Sequence, residues 1–224
     1  MTDPVPTGPV PVPGVRTPLG VLRFSAVVDG HRVPGAAEEA TADGLRWSHP
    51  RFGLELVVKP FEPPCSDPDL ARPVDGCWGA VWRVTAHEPL HRVRLAAAFA
   101  AVPPGVEAQW DGGQGLTAVE LHDGRTVLHL GGPDDEDLCL RAGADVPARW
   151  GGLLEQVYRR SAKWGSEVRP DHRGLAWVLP PMEPGEHVLV QAAVAWRELR
   201  PDDPEDDMST WWAVLVNPEH VLRG

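Results

Sequence analysis

The chain has 224 residues, 42% of them hydrophobic and 24% charged, with 21 Lys+Arg against 32 Asp+Glu for a net charge of −11. This length sustains a core without disulfide staples, and the composition excludes a disordered chain. No apolar run approaches the roughly 18 residues of a membrane span, and so acidic a field disfavours nucleic acid.

Residue usage is skewed: isoleucine is absent, Asn217 and Tyr158 are the only residues of their types, and Lys59 and Lys163 are the only lysines. The depleted types share AT-rich codons, which points to a bacterial gene of high GC content. The same bias favours tryptophan, so its ten copies are not by themselves a sign of selection for indole. Cys65, Cys77 and Cys139 show no CxxC spacing, and the Met-Thr-Asp-Pro start lacks the apolar stretch of a secretory signal. Both features predict free thiols in the cytoplasm, with a Cys65–Cys77 bridge left open.

Residues 1–18 hold six prolines and predict an extended, poorly ordered arm ahead of a single domain over 19–224. From residue 19 the hydrophobic period is mostly two, the mark of half-buried strands. Phe52, Leu54, Leu56 and Val58 alternate with polar neighbours. So do Trp78, Ala80, Trp82, Val84 and Ala86, then Val93, Leu95, Ala97 and Phe99. Val188, Val190, Ala192, Val194 and Trp196 line one later face, and Trp211–Val216 gives a last predicted strand. With Pro and Gly clusters between them, these runs predict a mainly β fold: one antiparallel β-sandwich or flattened barrel of about ten strands. One amphipathic helix is expected over about 150–164, with Trp150, Leu153, Leu154, Val157 and Tyr158 as its apolar stripe.

The string His87-Glu88-Pro89-Leu90-His91 matches the H-E-x-x-H pattern of zinc peptidases. That chemistry needs both histidines one helical turn apart, and Pro89 breaks such a helix. The flanks alternate like strands, so a hairpin turn is expected there and no metal. The acidic runs 134–137 and 202–207 lack the spacing of a calcium loop and suit solvated connections. Cys139 alternates with Leu138 and Leu140 as in a strand. No phosphate-binding glycine loop or nucleophile elbow is present, so no cofactor is predicted.

Asp123-Gly124 is a two-residue hairpin signal, and it places Glu120 and His129 as diagonal neighbours on the polar face of a hairpin. A carboxylate beside an imidazole can move protons near neutral pH, which makes these two the candidate catalytic pair. The plainer expectation is that this face meets water. Trp47, Trp82, Trp110, Trp196 and Trp211 are the candidate ligand-lining residues, the remaining indoles being assigned to the core.

The sequence thus predicts a cytoplasmic β-sandwich binding a small apolar or sugar-like molecule in a Trp-lined cleft. A cofactor-independent isomerase, cyclase or lyase using Glu120 and His129 is the first alternative. The second is a protein-interaction module that uses the proline arm or a sheet edge. A small-molecule ligand is the expected partner, with neither nucleic acid nor membrane, and with self-association as a further option.

Overall fold

The computed structural model describes residues 8–9, 14–33, 38–41, 43–64, 73–160, 168–171, 173–201 and 208–223. In chain order its strands are β1 (Gly8–Pro9), β2 (Gly14–Thr17), β3 (Gly20–Val28), β4 (His31–Val33), β5 (Glu38–Thr41), β6 (Gly44–His49), β7 (Phe52–Pro60) and β8 (Gly76–Ala86). Then come β9 (Val93–Phe99), β10 (Glu107–Gly113), β11 (Leu116–His122) and β12 (Thr126–Pro133), followed by helices α1 (Asp135–Leu140) and α2 (Trp150–Arg160). β13 (Val168–Asp171), β14 (Gly174–Leu179), β15 (His187–Glu198), α3 (Ser209–Val214) and α4 (Pro218–Arg223) complete the described chain.

The strands form two antiparallel sheets and no closed barrel, as the mainly β sandwich expectation requires. One sheet runs β1-β2-β3-β9-β14-β13 with β4 paired to β3, and the other runs β10-β11-β12-β15-β8-β7-β6-β5. The period-two runs account for this arrangement. Phe52, Leu54 and Leu56 of β7, Trp82 and Val84 of β8, Leu95 and Ala97 of β9 and Val190 and Val194 of β15 all turn inward into one core. Each fully buried Leu, Val or Phe side chain is worth about 1.5–3 kcal/mol of transfer free energy. Trp82 joins the two layers, its ring 5.7 Å from Phe24 and 5.8 Å from Trp177 of the opposite sheet.

Several expectations are corrected. The sandwich already includes β2, where Val15 and Thr17 are fully buried, so its boundary lies before residue 19; the rest of the proline arm falls outside the described residues, apart from β1. The segment 87–92 is not a hairpin turn, because β8 and β9 belong to different sheets. It is a crossover, pinned where Leu90 and Met182 exchange backbone hydrogen bonds of 2.8 Å. Cys139 lies on α1 rather than a strand, and the first acidic run starts this helix instead of forming a loop. Asp134 accepts from the Asp137 N–H as its N-cap, and Asp135, Glu136 and Asp137 occupy the first turn, where the helix dipole favours negative charge. Helix α2 buries Trp150 and Leu154 but leaves Leu153 exposed. Cys77 is a free thiol; Cys65, and with it the Cys65–Cys77 bridge that the sequence left open, lies outside the described residues, as does the acidic run 202–207.

The last predicted strand is instead helix α3. It lies against β12 and β15 on the outer face of the larger sheet. There Ala118, Ala193, Ala195, Trp211, Val214 and Val221 form a second, smaller core. Small sheet residues make the approach possible: a Cβ on Gly131 would come within 2.8 Å of Val214 Cγ2.

Candidate functional site

The hairpin of β11 and β12 differs from the two-residue turn read in Asp123-Gly124. The Asp123 carboxylate accepts from the N–H groups of Arg125 and Thr126 at 2.9 and 2.8 Å, and the loop widens to four residues. The register slips by two, so Glu120 stands directly opposite His129 rather than on its diagonal. Inward and outward faces are unchanged by an even slip.

Asp111 of the neighbouring edge strand β10 joins this pair. His129 Nε2 lies 3.4 Å from Asp111 Oδ2 and 3.5 Å from Glu120 Oε2, and Nδ1 lies 2.8 Å from Thr210 Oγ1 of α3. The ring is only 2% exposed, against 32% and 20% for the two carboxylate side chains, so the expected wet face is closed over the imidazole by α3. Nε2 faces both carboxylates across these gaps without meeting strict hydrogen-bond geometry to either. It still holds the Asp111 carboxyl below its ordinary range, against an opposing push from partial burial. Arg197 is also buried on this outer face, its strand position paired with Val127. Among the described residues no group of three or more His, Cys, Asp or Glu is placed to hold a metal ion.

The five candidate indoles do not gather around one cavity. Trp47, Trp82 and Trp196 belong to the central core and Trp211 to the outer one. Trp110 is 43% exposed on the edge strand β10 and points to the opposite side from Asp111, with its ring lying over Gly112.

A cleft of about 240 Å³ opens elsewhere, at the end of the larger sheet. Its walls come from the β10–β11 turn (Gln114, Gly115), the end of β12 (Gly132, Pro133), Asp137 of α1, Gln191 of β15 and the segment 215–220. No tryptophan lines it. Behind it lies Arg141, just after α1, its side chain only 13% exposed. Nε and Nη2 grip both oxygens of Asp145 at 2.9 Å, and Nη2 also donates to the Leu189 carbonyl at 2.7 Å. Nη1 donates to Asp137 Oδ2 at 2.9 Å and Gln191 Oε1 at 3.0 Å. All five guanidinium donors are thereby used. Gln191 in turn donates to the Val216 carbonyl at 2.7 Å, which ties the C-terminal segment to the sheet.

No protein-family model matches the chain, and no curated protein matches it. A match among solved structures is described as "Putative kojibiose phosphorylase from human microbiome", at a TM-score of 0.46 and 5% sequence identity. It covers 85% of this chain and 24% of the other, so the chain spans about a quarter of that structure's length.

Sequence reasoning did not find the cleft. Asp137 sat in an acidic run without metal spacing, and Gln191 and Arg141 carry no motif. Only the fold brings residues 137, 141, 191 and 217 to one place.

Proposed function

We propose that the protein is a small-molecule-binding β-sandwich whose ligand is a polar, sugar-like molecule held in the cleft beside Asp137 and Gln191. One observation carries this: a largely buried arginine uses every donor it has, two of them to fix the orientation of Asp137 and Gln191 at a concave surface. Rigidly held polar groups at a concavity are what a ligand site needs, because their ordering cost is met before the ligand arrives. The apolar-ligand version of the sequence expectation loses its support, since four of the five candidate indoles are packed inside the protein. Free Cys77 and Cys139 support a reducing, cytoplasmic setting.

A thermal-shift screen of neutral and charged polar metabolites tests the proposal. Compounds that raise Tm in the wild type and fail to do so in Asp137→Ala support it. Compounds that stabilise both proteins equally contradict the cleft as their site.

Proton transfer by Glu120 and His129 is a second reading, favoured by their direct cross-strand pairing and the convergence of Asp111 on the same nitrogen. In that case the partly exposed Glu120 carboxylate meets the substrate and the buried imidazole tunes it. Turnover that disappears in Glu120→Gln while ligand binding persists would favour this reading over simple binding.

A further inference from the structure

The polar atoms of the cleft also carry information about what it binds, an inference that rests on the cleft being the ligand site. Hydrogen bonds within the protein consume some of these atoms and leave others. Asp137 spends Oδ2 on Arg141, and its Oδ1 has no partner among the described residues. Asn217 spends Oδ1 on the His220 N–H at 2.8 Å, which leaves the two donors of its amide nitrogen. His220 Nε2 lies 2.7 Å from the Glu62 carbonyl, and because a carbonyl only accepts, Nε2 carries a proton; the singly protonated ring then presents Nδ1 as an acceptor. The remaining set is these two acceptors, the Asn217 amide donors and the side-chain amide of Gln114, which both donates and accepts, beside apolar surface from Leu116, Leu215 and Val216.

From this set we infer that the cleft selects a neutral polyhydroxylated molecule, one with adjacent hydroxyls and a C–H face, over a phosphorylated or carboxylated analogue. A hydroxyl both donates and accepts, so neighbouring hydroxyls satisfy Asp137 Oδ1, His220 Nδ1 and the Asn217 amide together. Among the described residues an anion finds no free arginine or lysine here, because all five donors of Arg141 point at protein atoms, and it meets the Asp137 carboxylate. A volume of about 240 Å³ suits one such ring or short polyol rather than a chain of them.

The test is a backbone-amide NMR titration of the full chain with three probes: a mixture of neutral methyl hexosides, myo-inositol and glucose 6-phosphate. The expected result is saturable shifts at Gly115, Asn217 and His220 with a neutral probe. Binding should be at least tenfold weaker for glucose 6-phosphate. Asp137→Asn should lose at least tenfold in affinity for the neutral probe, and Asn217→Ala, at an exposed position, provides a second variant that leaves the interior untouched. Equal or tighter binding of glucose 6-phosphate at the same amides would overturn the selectivity while leaving the cleft as the ligand site. Absence of shifts at these amides with all three probes would overturn the cleft itself.

Discussion

Nδ1 of His129 lies 2.8 Å from Oγ1 of Thr210, a pairing that spans 81 positions and ties the interior of the larger sheet to helix α3. Both groups are buried, so each satisfies a partner that water cannot reach. The segment that follows α3 forms one wall of the cleft, through Leu215, Val216 and Asn217. The polar contact that closes the outer face therefore also fixes where the cleft wall begins.

Replacing Thr210 by Val keeps the volume and removes the hydroxyl, leaving a buried imidazole nitrogen without its partner. The expected cost is about 1–3 kcal/mol, read as a lower midpoint in urea unfolding at unchanged slope. A midpoint within experimental scatter of the wild type would show that the pairing does not hold α3.

Asp111 gives a pH signature. Its folded-state pKa is lowered, by His129 first, so the carboxylate contributes stability above its unfolded pKa of about 3.9. That contribution is lost as pH falls through the folded value. Asp111→Asn should therefore be less stable than wild type at pH 6 and should close the gap as the pH approaches 3. Parallel Tm profiles for the two proteins between these limits would contradict the coupling.

How much of this could be read from the sequence depended on the range of the cause. Strand runs such as Phe52–Val58 and Val188–Trp196 announce themselves, because alternation is local and burial on one face follows directly. The inward and outward faces of the β11–β12 hairpin were legible for the same reason. Its register was not, because the Asp123 side chain competes for the turn's N–H groups and replaces a two-residue loop by four. The run Trp211–Val216 misleads in another way. A short apolar stretch fits strand or helix equally, and only packing on the small residues of the outer face selects the helix. Glu120 and His129 were identifiable as neighbours, whereas Asp111 joined them only through the β10–β11 pairing. The cleft assembles from α1, β15 and the C-terminal segment, so no window of sequence contains it.

Burial pushes the Cys77 thiol up to about 12. At pH 8 it should resist iodoacetamide in the folded protein and react once the chain is unfolded in guanidinium. Mass mapping of the alkylated peptides checks this, and rapid native labelling of Cys77 would mean that the outer core opens readily.

Gly132 lies where β12, β15 and the opposite sheet come closest. A Cβ there would stand 2.4 Å from Trp177 Cζ2 and 2.8 Å from the Gln191 carbonyl oxygen. Gly132→Ala should cost about 1–3 kcal/mol through overpacking. It should also disturb the cleft, which Gly132 and Gln191 both line. Thermal unfolding measures the first effect, and an unchanged Tm would show that Trp177 gives way freely.

The most direct test of the ligand site is a crystal structure of the protein soaked in a neutral methyl hexoside. The sugar is expected between Asp137 and Asn217, with its C–H face on Leu215 or Val216 and no contact to Arg141. Density for the sugar against Trp110 or beside Glu120, with the cleft unchanged, would contradict the assignment.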